Sequence, residues 1–373
     1  MPTSTQALLL KGVHEPFVLS DVSVDDPRAG EVLVQLVASG ICQSDLSVQN
    51  GVLPGQFPSC VGHEGSGIVK ATGEGVTHLQ EGDSVLLSFN FCSQCRSCHA
   101  QKGSQCKMWP LLNFGLQRAS EGQQHFAEEI KTGEKVKGFF FGQSSFSGYT
   151  LAAANSCIKV DADTDELALL APLGCGIQTG AGAVLKVLKP EPTSSIGVWG
   201  LGGVGISAIC ASSSLKVRNI IAIDIIPTRL SIALECGATH AINASTEDVQ
   251  ARIKEITQGE MLDYAVEASG VKACMYAAWS FLAHGGKLCQ IGVFPKGTEV
   301  SLDINATQVR HLTFIGNVEG ASHPPVFIPQ LIELRKAGYL PLEKFSKQFA
   351  LADHEEAFKA IKNGSVIKPI LRF

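Results

Sequence analysis

Charged residues are scarce in this chain. Asp, Glu, Lys and Arg make up only 17% of its 373 residues, against about 25% in a typical globular protein. We therefore expect that much of the surface is buried, part of it between subunits. The formal net charge of −5 provides no basic excess with which to hold nucleic acid, so nucleic-acid binding is not expected.

Long uninterrupted apolar runs and a secretory leader are also missing. The stretch 1–12 has no basic region and no extended apolar region, so no signal peptide is expected. Proline or glycine interrupts the two most apolar windows, 167–188 and 196–211, so neither gives the span of about 18 residues that a membrane helix needs. We expect no membrane segment and a cytoplasmic protein.

The first part of the chain predicts a β domain. At about 150 residues per domain, the length of the chain gives two domains or three. Up to about residue 148, short alternating or β-branched runs such as 31–37, 67–71 and 84–88 are separated by Gly, Pro, Asn and Asp. This pattern is typical of a mostly antiparallel β domain with turns. A lysine-rich, glycine-containing stretch at 131–138 is expected to be a surface loop.

The second part predicts a doubly wound parallel sheet, in which strands alternate with helices. Six apolar runs alternate there with helix-length amphipathic stretches, at 196–199, 220–223, 240–242, 264–267, 287–291 and 312–315. After residue 316 we expect helices at 325–337 and 353–362 and a strand at 366–371. Because six strands already complete the sheet, this tail is assigned to the first domain. The predicted domains are therefore 1–177 with 318–373, and 178–317.

Four of the twelve cysteines form the run CxxCxxCx7C, at Cys92, Cys95, Cys98 and Cys106. Without a signal peptide, thiols or metal ligands are favoured over disulfides. Gaps of two residues allow neighbouring thiolates to converge on one cation at about 2.3 Å, and four thiolates close a zinc tetrahedron with no open position. The run predicts a structural zinc site. The alternatives are unrelated thiols or a disulfide knot.

A glycine-rich turn joins the first predicted strand of the parallel sheet to the following helix. It reads GxGxxG and contains Gly200, Gly202, Gly203, Val204 and Gly205. In this context the first glycine permits a tight turn, the second lets the backbone approach a pyrophosphate, and the helix N terminus offers its amides. The alternative is a glycine-rich turn in an α/β fold that binds no nucleotide.

Asp224 ends the next predicted strand, about 20 residues further along. A carboxylate there can accept hydrogen bonds from both ribose hydroxyls and repels a 2′-phosphate, which favours NAD over NADP. Arg229 argues for the reverse, since arginine can pair with that phosphate. We give Asp224 the greater weight because its charge lies where the phosphate would have to bind.

A second group of possible metal ligands is dispersed along the chain. Cys42 lies in the segment GICQSD, His63 and Glu64 lie in GHEG, and Cys175 lies in LGCG. Spacing alone is weak support, because an isolated cysteine is more often a small buried apolar residue. The shared feature is flanking glycine, which indicates tight backbone turns.

In order, these motifs resemble those of the zinc-dependent medium-chain alcohol dehydrogenases over nearly the whole chain. The motifs are GHE at 62–64, the cysteine run, GCG at 174–176, the GxGxxG turn and Asp224. The stretch 173–183 is most similar to the aryl, or benzyl, alcohol dehydrogenase branch. The resemblance implies an α/β protein in which a GroES-like β domain wraps around a Rossmann domain, with the active site between them. It also implies a homodimer.

The resemblance implies a second, catalytic zinc ion. Cys42, His63 and Cys175 match its ligands, Glu64 lies beside them, and the fourth position is left for water or substrate. Asp45 matches a carboxylate that orients the ligand histidine. With the cysteine run, two Zn²⁺ ions per chain are expected.

The implied reaction is hydride transfer between a small-molecule alcohol and NAD, or the reverse reduction of an aldehyde. Ser44 matches a hydroxyl that relays the alcohol proton to the nicotinamide ribose. The alternative is that Ser44 is a turn hydroxyl.

Two positions differ from many members of the family. Gln43 replaces an arginine that pairs with the pyrophosphate, so we expect weaker cofactor binding. Ser47 replaces a histidine that ends the relay, so the proton must leave by another route. Lys368 matches a basic residue near the pyrophosphate in some members; the alternative is a solvated lysine.

The substrate pocket of the family is lined by the regions that hold Ser44, Ser88, Phe140 and Phe141. Ser88 stands where some members have a bulky aromatic residue, and the phenylalanines offer ring faces, which together favour an aromatic or allylic primary alcohol over ethanol. Alternatively, both phenylalanines fill the core of a strand.

Three other functions compete with this one. The glutathione-linked formaldehyde-oxidising branch is the alternative within the superfamily. A zinc-independent quinone reductase is disfavoured because Cys42, His63 and Cys175 are all present. A crystallin-like structural protein would need neither the open metal position nor Ser44.

Overall fold

The computed structural model describes residues 2–116, 118 and 125–373. The chain divides into two compact units. The first contains Met1–Cys175, His323–Pro329 and Ser346–Phe373, and the second contains Gly176–Ser322 and Gln330–Phe345.

The described residues form eighteen strands and twelve α-helices, together with short 3₁₀ turns and one π turn at Ala183–Leu188. The strands are β1 (Thr3–Leu10), β2 (Phe17–Val24), β3 (Glu31–Gly40), β4 (Ser59–Cys60), β5 (Gly65–Thr72), β6 (Ser84–Leu87), β7 (His125–Glu129), β8 (Lys135–Lys137), β9 (Tyr149–Ala153), β10 (Cys157–Lys159), β11 (Ser195–Trp199), β12 (Asn219–Asp224), β13 (His240–Asn243), β14 (Leu262–Glu267), β15 (Leu282–Gln290), β16 (Thr313–Gly316), β17 (Ser346–Ala350) and β18 (Lys368–Arg372). The helices are α1 (Gln43–Gln49), α2 (Arg96–His99), α3 (Trp109–Phe114), α4 (Thr164–Leu170), α5 (Gly176–Gly182), α6 (Gly203–Ser214), α7 (Pro227–Glu235), α8 (Val249–Ile256), α9 (Lys272–Ser280), α10 (Ile304–Val309), α11 (Pro324–Lys336) and α12 (His354–Lys362).

The first unit is built mostly from antiparallel β structure, although β17 with β18 and β4 with β8 pair in parallel. Strands β1, β2, β7, β8 and β4 form a closed barrel, and β10, β6, β5, β3, β18 and β17 form a sheet to which β9 adds through β3. Strand β3 pairs with β5, β9 and β18, and eight of its ten residues are buried. Helix α12 packs on the barrel side, where the ring of Phe358 stacks on that of Phe17 at 4.5 Å.

The second unit is a six-stranded parallel sheet in the order β13, β12, β11, β14, β15, β16. All five residues of the central strand β11 are buried, as expected for a strand covered by helices on both faces. The order reverses between β11 and β14, and ligands bind at such a switch point in doubly wound folds. The glycine turn follows β11, so the topology places it at this switch point.

Two expectations about the course of the chain require correction. The predicted tail 318–373 does not belong wholly to the first unit, because residues up to 322 and Gln330–Phe345 group with the second. Within that unit Ser322 Oγ donates to Gln178 Oε1, and Lys344 Nζ donates to the carbonyl of Glu235. The expected surface loop 131–138 contains β8, whose Val136 is fully buried and pairs with Ala127 of β7.

Among the described residues, no single helix is long and apolar enough to cross a membrane, although the helical stretches Thr164–Gly174 and Gly176–Leu188 meet the length and composition criteria as a bent pair.

Candidate active site

The cysteine run folds into a compact thiol cluster. The four sulfurs of Cys92, Cys95, Cys98 and Cys106 lie within 4.8 Å of one another, and none of them is in a disulfide. The Sγ atoms of Cys95 and Cys98 are 3.5 Å apart, and those of Cys92 and Cys98 are 3.9 Å apart. A zinc tetrahedron with bonds of about 2.3 Å has sulfur-to-sulfur edges of about 3.8 Å. The cluster therefore fits a four-thiolate zinc ion.

Backbone amides support negative charge on these sulfurs. Cys106 Sγ accepts hydrogen bonds from the N–H groups of Cys92 and Met108, at 3.4 Å each. The amides of Cys98 and Lys107 lower the pKa of the Cys95 thiol to about 6. Thiolates are the form in which cysteines bind metal.

The dispersed ligand candidates also converge. The ligand atoms of Cys42, His63, Glu64 and Cys175 lie within 4.8 Å of one another, and all four side chains are buried. Cys42 caps the N terminus of α1, His63 and Glu64 precede β5, and Cys175 follows a 3₁₀ turn over Ala171–Gly174. A side chain at Gly174 would meet the carbonyl of Leu87 at 2.0 Å, so glycine is needed beside Cys175.

Asp45 connects two of these segments. Its Oδ1 lies 2.9 Å from His63 Nδ1 and accepts from the N–H of Gly62, while its Oδ2 accepts from the N–H of Cys42. Asp45 and His63 are fully buried. The contact expected between Asp45 and the candidate ligand histidine is therefore present, and it turns the other ring nitrogen toward the two cysteines.

That other nitrogen, His63 Nε2, is buried and makes no hydrogen bond of normal geometry within the described residues. A buried polar atom without a partner is costly in a folded protein. The sulfurs of Cys42 and Cys175 lie close to this nitrogen. A cation bound to both sulfurs would also accept the nitrogen lone pair and would thus be the missing partner. The donor set of two thiolates and one imidazole fits zinc with an open position.

Electrostatics favour the metal-binding form of Cys42. A hydrogen bond from Cys175 lowers the pKa of the Cys42 thiol well below its usual value, helped by the charge of Lys368, although burial opposes the shift. Burial alone lowers the pKa of His63, but the charges of Asp45 and Cys42 outweigh it and raise that pKa well above its usual value. Both shifts favour the charged forms of the two groups, and because an imidazole binds metal in its neutral form, a metal ion would compete with a proton for His63.

Lys368 lies at this cluster. Its Nζ donates to both carboxylate oxygens of Glu64 at 2.9 Å and to the carbonyl of Ile41 at 3.2 Å. The lysine is 3% exposed, so the alternative of a solvated C-terminal lysine is wrong. A role in binding the cofactor pyrophosphate stays a prediction.

The two serines of the expected proton relay differ in their surroundings. Ser44 is partly exposed, and its Oγ lies 3.9 Å from Cys42 Sγ. Ser47 is 5% exposed, and its hydroxyl donates to the carbonyl of Gln43 within α1 at 2.9 Å. Gln43 itself is exposed. Of these two serines, Ser44 is the one that lies partly exposed beside the candidate metal ligand Cys42.

The expected pocket residues Ser88, Phe140 and Phe141 are all buried. Ser88 Oγ donates to the carbonyl of Gly174 at 2.6 Å. The Phe141 ring stacks on the His63 imidazole at 4.5 Å, and the Phe140 ring meets it edge-on at 5.3 Å. The phenylalanines lie on a 3₁₀ turn at Phe140–Gly142 and not on a strand, but both belong to a buried hydrophobic core cluster, as the alternative interpretation expected. Contact of these residues with a substrate stays a prediction.

The glycine turn of the second unit has the geometry that a dinucleotide requires. Gly200 has φ +84°, and a side chain at Gly205 would meet the carbonyl of Gly200 at 1.9 Å. A side chain at Gly202 would meet nothing within 4 Å, so this position opens on space that a pyrophosphate could fill. Helix α6 begins at Gly203, next to Val204, and presents its free amides there.

Asp224 lies beside this turn at the end of β12. Its Oδ2 accepts from the N–H of Leu201 at 2.7 Å, and its Oδ1 accepts from the N–H groups of Ile225 and Ile226. Arg229 lies close, with its Nη1 3.9 Å from Asp224 Oδ2. Asp224, which is expected to favour NAD, and Arg229, which is expected to favour NADP, therefore form a long ion pair.

Known proteins match both units. The alcohol dehydrogenase GroES-like domain matches residues 28–176, and the zinc-binding dehydrogenase domain matches residues 203–334. A geraniol dehydrogenase of Castellaniella defragrans is 34% identical over 99% of this chain and 98% of its own length. The chain belongs to the zinc-dependent medium-chain alcohol dehydrogenases. It is an alcohol oxidoreductase, and this family acts on small-molecule alcohols and aldehydes.

Solved structures of the family superpose closely. An alcohol dehydrogenase zinc-binding domain protein from Burkholderia ambifaria has a TM-score of 0.95 and 39% identity, with 100% of both chains covered. A benzyl alcohol dehydrogenase from Acinetobacter calcoaceticus has a TM-score of 0.93 and 37% identity, covering 100% of this chain and 99% of that one. The predicted fold class, a GroES-like β domain with a Rossmann domain, is confirmed.

Two features of this alcohol dehydrogenase escaped the sequence analysis. The pairing of Lys368 with Glu64 has no sequence signal, because 304 residues separate them. Gln143 was also missed, although it is fully buried and donates to the carbonyls of His63 and Ser88. The signal for Gln143 was its amide within the apolar run GFFFGQSSF.

Proposed function

We propose that this dehydrogenase transfers a hydride between an aromatic or allylic primary alcohol and NAD, with a catalytic zinc at Cys42, His63 and Cys175 and a structural zinc at Cys92, Cys95, Cys98 and Cys106. The observation that carries the proposal is the convergence of two buried thiols on a buried imidazole nitrogen that has no other partner among the described residues. Glu64 and Lys368 lie beside this set as a neutralising pair.

Bound zinc supplies Lewis-acid chemistry that makes a hydroxyl group acidic near neutral pH. The chain's own residues prepare that position. Asp45 fixes the ring of His63 through Nδ1, and the rings of Phe140 and Phe141 cover the imidazole, which excludes water from this side. Ser44 Oγ, which lies near Cys42, is the group proposed to accept the alcohol proton.

The second unit supports the choice of cofactor. Bound NAD supplies the hydride acceptor. Gly200, Gly202 and Gly205 keep the turn free of side chains, the N terminus of α6 offers its amides to a pyrophosphate, and Asp224 offers a carboxylate to the ribose hydroxyls. Arg229 lies within 4 Å of that carboxylate, so Asp224 already neutralises part of the positive charge of Arg229.

The proposed substrate class rests on the aromatic surroundings of the metal cluster. Phe140 and Phe141 contact each other edge-to-face at 4.9 Å, and such ring faces suit a planar unsaturated substrate. The relatives point the same way, since one is named for geraniol and one for benzyl alcohol, an allylic and an aromatic primary alcohol.

We also propose a homodimer, formed through the edge strand β16. This strand is the last of the parallel sheet, and within the described residues it pairs only with β15. Phe314 on this strand is 43% exposed, and Ile304, Val309 and Val318 nearby in sequence are exposed as well. An exposed edge strand with apolar side chains is a template for pairing with another chain.

Steady-state kinetics combined with metal analysis test the proposed activity. The purified chain is assayed with benzyl alcohol, geraniol and ethanol, with NAD or NADP, and without glutathione. We expect saturable oxidation of benzyl alcohol and geraniol with NAD and two zinc ions per chain. Activity that requires added glutathione and formaldehyde would instead favour the formaldehyde-oxidising branch. Equal activity after selective loss of the catalytic zinc would contradict the proposal.

The variant Cys175→Ala separates the two metal sites. We expect it to retain one zinc per chain, to bind NAD and to lose turnover. Cys210→Ala is a matched control, since this cysteine is also buried but belongs to the second unit. Retention of two zinc ions by Cys175→Ala would remove Cys175 from the proposed ligand set.

A further inference from the structure

We infer that Gln143 is a positioning residue that fixes the position of the His63 ligand relative to the Cys175 ligand. The inference rests on the zinc site proposed above and extends it to a side chain that does not touch the metal position.

Gln143 is fully buried, and its amide uses all of its main hydrogen-bonding groups. The side-chain Nε2 donates to the carbonyl of His63 at 3.0 Å and to the carbonyl of Ser88 at 3.1 Å. The Oε1 accepts from the N–H of Gly65 at 3.2 Å. One side chain thus fixes the backbone that directly follows the candidate ligand His63, on both sides of Glu64, and connects it to Ser88.

A second hydrogen bond continues the connection from Ser88 to the Cys175 segment. Ser88 Oγ donates to the carbonyl of Gly174 at 2.6 Å, and Gly174 immediately precedes Cys175. A continuous path of hydrogen bonds therefore runs from the backbone of His63 through Gln143 and Ser88 to the residue before Cys175. These ligands are 112 positions apart in sequence (175 − 63), so local chain geometry cannot set their spacing.

The loop that carries Gln143 is held in an unfavourable backbone conformation. Phe139, Phe141 and Ser144 have φ values of 63°, 55° and 109°, a region that side-chain-bearing residues rarely adopt. Such conformations persist where the surroundings over-determine them, and they concentrate at functional sites. Here Ser144 Oγ donates to the carbonyl of Cys60 at 2.7 Å, and Ser145 N–H donates to the carbonyl of Gly62 at 2.9 Å. The loop is thereby fastened to the segment that leads into His63.

Gln143→Glu keeps the shape of the side chain but removes both donors, so a carboxylate oxygen would face the carbonyls of His63 and Ser88. Gln143→Leu removes all three hydrogen bonds and keeps the volume. In other metalloproteins, loss of a group that orients a ligand lowers metal affinity by about 10–100-fold. We expect a loss in this range at the proposed catalytic site.

Asn113 offers a matched control within the same unit. It is also fully buried, its Nδ2 donates to the carbonyls of Asn90 and Trp109, and its Oδ1 accepts from the N–H of Asn90. Asn113→Asp therefore removes the same two donors from an amide whose hydrogen bonds go to Asn90 and Trp109 rather than to His63 or Ser88.

The experiment loads the full-length protein with Co²⁺, whose d–d absorption bands report the geometry of its ligands. The difference spectrum between the wild-type protein and Cys175→Ala identifies the bands of the proposed catalytic site. Chelator competition then measures the affinity of that site in wild type, Gln143→Glu, Gln143→Leu and Asn113→Asp. Ser88→Ala removes only the second connection and serves as the milder variant if the Gln143 variants do not fold.

We expect the Gln143 variants, and Ser88→Ala to a smaller extent, to shift these bands and weaken Co²⁺ binding about 10–100-fold. Asn113→Asp should lower the unfolding temperature and leave the bands in place. If the folded variants, Ser88→Ala among them, have the bands and affinity of the wild type, the role of Gln143 is overturned while the zinc site stands. If the wild-type protein shows no Cys175-dependent bands, the proposed zinc site itself fails, and the role of Gln143 falls with it.

Discussion

Lys368 donates to both carboxylate oxygens of Glu64 at 2.9 Å, and both side chains are almost completely buried. Burial raises the pKa of Glu64 above its usual value, and the charge of Lys368 offsets only part of this rise. The pair thereby places one negative and one positive charge beside two candidate thiolate ligands. Its energetic role follows from the cost of leaving either charge alone in a buried site.

Lys368→Met should destabilise the first unit by about 3–5 kcal/mol, because it leaves the Glu64 carboxylate buried without its partner. The double variant Lys368→Met with Glu64→Gln should recover most of that loss, since no unpaired charge remains. Urea unfolding at neutral pH measures both. A loss below about 1 kcal/mol in the single variant, the range of exposed pairs, would show that this pair is not buried in solution.

Asp45→Asn should weaken metal binding at the proposed catalytic site by about 10–100-fold, because the histidine ring loses the carboxylate that fixes it. The fold should persist, since an asparagine Oδ1 can still accept one of the backbone N–H bonds. Chelator competition on the zinc-loaded protein measures the affinity. Asp83→Asn is the control, because Asp83 is also buried but pairs with Lys159 at 2.7 Å. Equal zinc affinity in Asp45→Asn and the wild type would contradict the role of Asp45.

The sequence predicted the parallel sheet because its signals are local. A buried parallel strand is a short apolar run, and each of the six predicted runs overlaps an observed strand. The main error in length is β15, which begins at Leu282 rather than at 287. Its early part contains Gly285 and Gly286 and follows an irregular register with β14, so it has the composition of a turn.

The residues of the candidate site could be predicted only where they belong to a recognisable sequence motif. The spacing of the four cysteines within one short run indicates a metal site, and the four sulfurs converge as expected. Cys42, His63 and Cys175 come from three distant segments, and only the family resemblance grouped them. The contacts of Lys368 and Gln143 depend on tertiary packing of β18 and of a loop with positive φ values, and no local pattern encodes such pairings.

Asp224→Ser should raise the specificity for NADP relative to NAD by about tenfold or more, because it removes a negative charge from the site of the 2′-phosphate and releases Arg229 to pair with it. The ratio of kcat/KM for the two cofactors measures the effect. The serine also loses the hydrogen bond from the N–H of Leu201, so activity with NAD should fall.

Asp224→Asn distinguishes charge from hydrogen bonding at this position. It keeps an acceptor oxygen for the turn but removes the charge, so it should show much of the shift toward NADP with a smaller loss of NAD activity. An unchanged cofactor ratio in both variants would exclude Asp224 as the determinant of cofactor choice.

Phe314→Lys should convert the proposed dimer into a monomer, because a buried ammonium group at a strand-pairing interface is costly and lysine is a common means of blocking edge strands. Leu234→Lys is the matched control: Leu234 is similarly exposed, at 47%, but lies on α7, which packs beside β12 and β13 at the opposite edge of the sheet. Light scattering coupled to gel filtration gives the mass of each variant. A wild-type chain that is monomeric at micromolar concentration, or a Phe314→Lys chain that remains dimeric, would show that β16 does not form the interface.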